Sequence, residues 1–208
     1  VKFPDWRGRT VACLASGPSL TAEDAARVRC WPTVVTNSTF RLCPWADALY
    51  WFDTDWWKVY AAEVRETFSG RVFTQSLARR SGVECLRASP RFRSFGNSGA
   101  SAVAMAVAFG ASRVVLLGYD CGLTRGLTHH HGDHPEPLRN CARPERWRLQ
   151  FERLAKWSRT PIVNASRETT LTCFPRADLD DLLDDPANVG REDGGRPRFG
   201  AEHVAGGG

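Results

Sequence analysis

Apolar positions fall in short blocks along the chain, and their spacing separates strands from helices. Arg9 to Ala15 is a brief apolar run ending in Ser16-Gly17-Pro18-Ser19-Leu20, which predicts a buried strand entering a turn. Thr21 then opens TAEDAARVR with Asp24 three positions on, a capping-box-like helix start. Thr33–Asn37 and Ala46–Phe52 predict two more strands, the second closing on Asp53. From Thr54 to Phe68, Trp57, Tyr60, Ala61, Val64 and Phe68 share one helical face. Arg71–Thr74 and Val83–Leu86 predict further strands. The run ASAVAMAVAF after Gly96-Asn97-Ser98-Gly99 is apolar on nearly every side, so it predicts a buried helix, ended by Gly110. Ser112–Leu117 predicts a strand closing on Asp120. A polar stretch of about two dozen residues follows, longer than an ordinary connection. Pro144–Ser158 predicts an amphipathic helix with Trp147, Phe151, Leu154 and Ala155 inward, then Pro161–Asn164 a strand and Leu179–Leu183 a short helix.

Strands alternate with helices, which predicts an α/β fold: a single Rossmann-like domain, mostly parallel sheet, helices on both faces. The expected domain covers residues 1–188. Residues 189–208 are expected to form a flexible tail, since seven glycines lie between Gly190 and Gly208. The length of 208 residues suits one core, and 42% hydrophobic with 25% charged residues is ordinary globular composition. The apolar run from Gly99 to Gly110 is too short to span a bilayer. Val1 to Asp5 carries no apolar signal region, and seven scattered cysteines without a C-x-x-C pair suit reduced thiols, so a cytoplasmic location is expected.

The net charge of +5 is concentrated. Between Arg139 and Arg159 seven basic residues face two acidic ones, the whole excess. Such a face suggests an anionic partner or a solvated helix surface.

In open α/β sheets, ligands bind beyond the carboxyl ends of the strands. Two turns there resemble anion cradles: Ser16-Gly17-Pro18-Ser19 and Gly96-Asn97-Ser98-Gly99, each small-residue and each leading into a helix N-terminus. Neither is a P-loop or a dinucleotide fingerprint, and turn and cap chemistry alone would also explain them. Asn37 follows the second strand, and Asp53 and Asp120 each end a strand, where aspartates bind ribose, metal or a helix cap. Thr128-His129-His130-His131-Gly132-Asp133-His134-Pro135 gathers four of the five histidines. It reads as a catalytic or substrate loop, the start of a metal site, or an incidental polar loop. Tryptophans crowd the first third, among them Trp31, Trp45, Trp51, Trp56 and Trp57. Most should be core, with room for one exposed ring to stack on a base or sugar.

Val11 to Leu20 resembles the first strand and G-P-S-L turn of bacterial sialyltransferases that use CMP-sialic acid, and of MptE-like (6-hydroxymethylpterin diphosphokinase-like) proteins. Asn97-Ser98-Gly99 with Val114 to Asp120 looks like their second shared block. The chain from Trp6 to Leu183 is also similar to proteins encoded by tailed phages and prophages. Those carry G-P-S-L, a block matched by Asn37 to Asp47, and T-H-x-H-G-D-H-P, matched by Thr128 to Pro135. The resemblance implies a nucleotide pocket lined by Gly17, Pro18, Ser19, Asn37, Asp53, Asn97, Ser98 and Gly99. It implies a histidine base, with His134 the best match by position and His131 and His129 behind it, beside Asp120.

Three functions compete on this reading. The first is glycosyl transfer from a nucleotide-sugar donor to a glycan or a modified DNA base, without a metal cofactor. The second is a diphosphokinase-like reaction needing Mg²⁺ on carboxylates such as Asp53, Asp120 and Asp133. The third is a non-catalytic module binding nucleic acid or a phage partner through Arg143, Arg146, Arg148 and Lys156.

Overall fold

Residues 3–76, 81–124, 126–127, 129–130, 132, 138 and 145–185 are described by the structure, a computed structural model. In chain order the elements are β1 (Thr10–Leu14), α1 (Ala22–Arg27), β2 (Thr33–Thr36), β3 (Ala48–Trp51), α2 (Thr54–Thr67), β4 (Arg71–Thr74), β5 (Val83–Cys85), α3 (Ser98–Ala108), β6 (Arg113–Leu117), α4 (Glu145–Trp157), β7 (Ile162–Asn164) and α5 (Leu179–Asp184). Short 3-10 turns cover Val28–Cys30 and Asn37–Arg41. The seven strands form one parallel sheet in the order β5-β4-β3-β2-β1-β6-β7. This is the expected Rossmann-like α/β architecture.

The central strands are mostly apolar, and β2 is buried along its whole length, because both faces of the sheet are covered. Successive side chains point to opposite faces. Val11, Cys13, Val34, Tyr50, Val114 and Leu116 pack with α3 and α4. Ala12, Leu14, Val35, Leu49, Val115 and Leu117 pack with α1, α2 and α5. The alanine-rich α3 is buried from Ala100 to Met105 and on to Ala106, and its small residues let it lie against β1, β2, β3 and β6 at once. Most of the early tryptophans are core, with Trp51 and Trp57 stacked at 4.9 Å.

Thr21 caps α1 as its sequence suggests, accepting from Asp24 N at 3.0 Å. The reciprocal half of the box does not form. The Asp24 carboxylate turns instead to Arg167, at 2.6 and 2.9 Å. Burial raises the Asp24 carboxyl, but Arg167 and Thr21 outweigh it, and the net position lies below the usual range. Among the described residues no helix is long and apolar enough to cross a membrane. The tail expected at 189–208 lies outside the described residues.

Candidate functional site

β1 and β6 are neighbours, paired from Thr10↔Arg113 to Leu14↔Leu117. The strands that follow β1 extend the sheet one way, and β7 extends it the other way. Between β1 and β6 the strand order therefore reverses, and the chain diverges above their carboxyl ends to leave a crevice. A cavity of about 120 Å³ lies there. At about 30 Å³ for each water of the liquid, it has room for roughly four waters.

The two strand ends are stapled before they diverge. Ala15 N–H donates to Leu117 O at 3.0 Å, and Gly17 N–H to Gly118 O at 2.8 Å. Asp120 then closes the join. Its carboxylate accepts from Ser19 N at 2.8 Å, Ser19 Oγ at 2.6 Å and Thr124 Oγ1 at 2.8 Å, and the residue is 2% exposed. Gly17 is required by this closeness, since a Cβ there would overlap Asp120 Oδ1 and Gly118 O.

Asp120 and Ser19 thus brace the turn and do not line the cavity. Pro18 sits in the same turn and lines it no more than they do. Asp53 is elsewhere: it caps α2, accepting from Asp55 N at 2.8 Å. Gly17, Asn37, Asn97, Ser98, Gly99 and His129 do come together on the cavity wall. His131 and His134, with Thr128, Asp133 and Pro135, lie outside the described residues.

Three features give the cavity its chemistry. The first is the start of α3. Asn97 caps it, accepting from Ala100 N at 2.7 Å, while Asn97 Nδ2 donates to Gln150 Oε1 of α4 at 2.5 Å. Both ends of that amide are therefore engaged. Ser98 and Gly99 stand beside it on the cavity wall, and as first-turn residues of α3 their N–H groups have no acceptor within the helix. The second is Asn37, held at φ 47°, in the left-handed region. Its Oδ1 is buried and accepts no hydrogen bond from the described residues. Leaving such an acceptor unmet costs about 1–3 kcal/mol. The third is His129, whose Nδ1 shares a hydrogen bond with Ser16 Oγ at 2.9 Å. The neighbouring His130 N–H donates to Ser16 O at 2.8 Å, so the histidine loop is tied to the end of β1. Burial pushes the His130 imidazole below its usual value, and Asp120 opposes this in part.

The far wall is aromatic. Trp147 and Phe151 of α4 face the cavity with Tyr119, which is 1% exposed, meets Phe151 edge-on at 5.6 Å and donates to Gly99 O at 3.4 Å. Burial raises the Tyr119 hydroxyl well above its usual value, so it stays a neutral donor. Trp147 and Phe151 read in the sequence as inward helix residues, and their inward side proves to be the ligand side. Tyr119, Thr36 and Cys121 carried no motif that marked them. Among the described residues, no three His, Cys, Asp or Glu side chains gather where a metal ion could sit.

Compared with known proteins, the chain matches no family model, no curated protein and no solved structure.

Proposed function

We propose that the chain is a nucleotide-sugar-dependent glycosyltransferase-like enzyme of the phage type, with a loop histidine as general base. The observation that carries this reading is one cavity, at the switch point of the sheet, walled by the N-terminus of α3, Asn37 and His129. The Ser98 and Gly99 N–H groups and the dipole of α3 suit the donor phosphate. Asn37, on the same wall, brings an amide side chain suited to a hydroxyl or amine of the nucleoside. Trp147 offers a ring for a base or sugar.

In the step itself the acceptor oxygen bonds to the anomeric carbon. The bond from that carbon to the donor phosphate breaks, and the leaving nucleotide keeps the electron pair. The acceptor proton passes to the imidazole. With Nδ1–H donating to Ser16 Oγ, Nε2 of His129 is the nitrogen that takes it. His134, the best positional match to the phage-type motif, is the second candidate for that role. The acceptor is a glycan or a modified DNA base.

The diphosphokinase alternative asks carboxylates such as Asp53, Asp120 and Asp133 to hold a cation, and Asp133 lies outside the described residues. Asp53 caps α2 while Asp120 is enclosed by Ser19 and Thr124, so the two carboxylates are differently employed.

Thermal unfolding against CMP, CDP, UDP, GDP, ADP and ATP, with and without Mg²⁺, tests the reading. A ligand at a hundred times its Kd adds about 2.7 kcal/mol, and each kcal/mol is worth roughly 2–4 °C. A metal-independent shift with a cytidine or uridine nucleotide is expected. His129→Asn should keep that shift and slow transfer about 10²–10⁴-fold. A shift with ATP that needs Mg²⁺ would replace this reading with the kinase, and no shift with any nucleotide would end it.

A further inference from the structure

The cations of this protein divide into two populations. Arg27 pairs with Asp180, Arg41 with Glu63, Arg113 with Asp185 and Arg167 with Asp24. The outer face of α4 is different. Arg146, Arg153 and Lys156 are exposed there, and among the described residues no carboxylate pairs with them. The inner face of α4 is buried on the rest of the fold through Phe151 and Leu154.

Helical geometry fixes which of these charges lie together. Residues seven apart stack in one row along a helix. Gln150 and Trp157 form one such row, and it meets the loop before α3. Gln150 accepts from Asn97, and Trp157 meets Phe95 edge-on at 5.5 Å. Arg146 and Arg153 form the next row outward, about 10 Å apart along the axis. Arg93, exposed on the loop, lies over the Phe95 ring at 5.8 Å. The result is a basic track from Arg93 through Arg153 to Arg146, flanked by Lys156. Its inner border carries Trp157 and Gln150, and Gln150 touches the cap of the helix that walls the cavity.

We propose that this track is a docking surface for nucleic acid, and that it leads a phosphodiester strand to the mouth of the cavity. Arginine forks suit phosphate oxygens. A lipid surface fits less well. A membrane-binding helix must insert an apolar face, and α4 has Phe151 and Leu154 buried and offers outward only the single large apolar side chain of Leu149 among its charges. The track rests on the transferase reading only for what the docked strand would deliver, an acceptor nucleotide. Docking itself needs no donor.

Fluorescence anisotropy with a short labelled DNA duplex, without any donor, measures it directly. Four phosphate contacts, from Arg93, Arg146, Arg153 and Lys156, give a log–log salt slope of about −3.6, a roughly 150-fold loss of affinity between about 50 and about 200 mM salt. Arg146→Ala with Arg153→Ala should halve that slope, leaving a loss of about 12-fold. Arg29→Ala with Arg65→Ala removes the same net charge on the opposite side of the sheet, where these residues stand over Trp45 and Trp57, and should leave the slope in place. If the first pair lowers the Tm, Arg93→Ala with Lys156→Ala gives the same reading. Failure to bind duplex at low salt would overturn the proposal. So would equal loss in the track and off-track variants, or preference for anionic vesicles or heparin over DNA. The nucleotide-induced thermal shift, measured on the same variants, is expected to survive. Its absence in the wild type would defeat the transferase reading while leaving the docking result to stand on its own.

Discussion

The turn after β1 and the start of α3 look alike in sequence and do opposite work. Both are small-residue turns at helix N-termini. In the first, the Gly17, Ser19 and Leu20 N–H groups are all bonded within the protein, and Pro18 has none to offer. The helix it leads to has six residues and its cap is Thr21. In the second, Asn97 caps an eleven-residue helix whose first residues, Ser98 and Gly99, line a cavity, and the helix gives their N–H groups no acceptor. What separates them is Asp120, which reaches across 101 positions to occupy the first turn. A peptide N–H cluster is a ligand site only where the fold has not already supplied the anion.

The sharpest way to break this contrast is Asp120→Ala. It strands Ser19 N and two hydroxyls in a buried place and should cost about 3 kcal/mol. Urea unfolding checks this, and a loss under about 1 kcal/mol would mean the staple is not what joins β1 to β6. Gly17→Ala comes next, at about 2 kcal/mol of overpacking. Its counterpart Gly99→Ala puts a Cβ 3.2 Å from Tyr119 Cε1 inside a helix, so stability should change little while the nucleotide shift shrinks. If both glycine variants destabilise alike, the two turns are not different in kind. Asn97→Ala should lose about 1 kcal/mol of capping, together with the nucleotide shift. Asn97→Asp should restore the cap and still repel a phosphate. Nucleotide binding undiminished in Asn97→Asp would show that the anion sits elsewhere.

The smallest expected effect is on pH. Burial pushes the His130 imidazole down, so the unfolded chain takes up a proton where the folded chain still resists it. The stability linked to this group is complete above about pH 6.5, the unfolded value, and falls as pH drops through that point. Tm scans from about pH 7.5 to about pH 5.5 should show the fall, and His130→Gln should flatten it. An unchanged slope in the variant would assign the loss to other groups.

Much of the fold was legible because both sheet faces are covered. The runs Val11–Leu14 and Val114–Leu117 have no polar interruption, and α3 is apolar all round for the same reason. The candidate site was legible in part. Gly17, Asn37, Asn97 and His129 stood out as small or polar residues at strand ends, and the structure brings them together. That Asn97 points its amide to Gln150 and leaves the cavity to its neighbours depends on how α4 packs, which no local pattern reveals. The same is true of Asp120, an end-of-strand aspartate by sequence and a buried brace by structure. The basic segment announced itself by charge. That Arg93 joins it is visible only once Phe95 meets Trp157.

The sheet order has a consequence for how the molecule comes into being. β2, β3 and β4 can each pair soon after they are made, since their partners precede them closely in the chain. β6 must instead return past four strands to find β1, closing a loop of about a hundred residues, a slow kind of search. Chains fold from the N-terminus as they are synthesised. Until β6 docks, the end of β1 therefore has no Gly118 carbonyl and no Asp120 to meet. The half-built sheet carries an open edge at β1, and its closure and the birth of the cavity are a single late event.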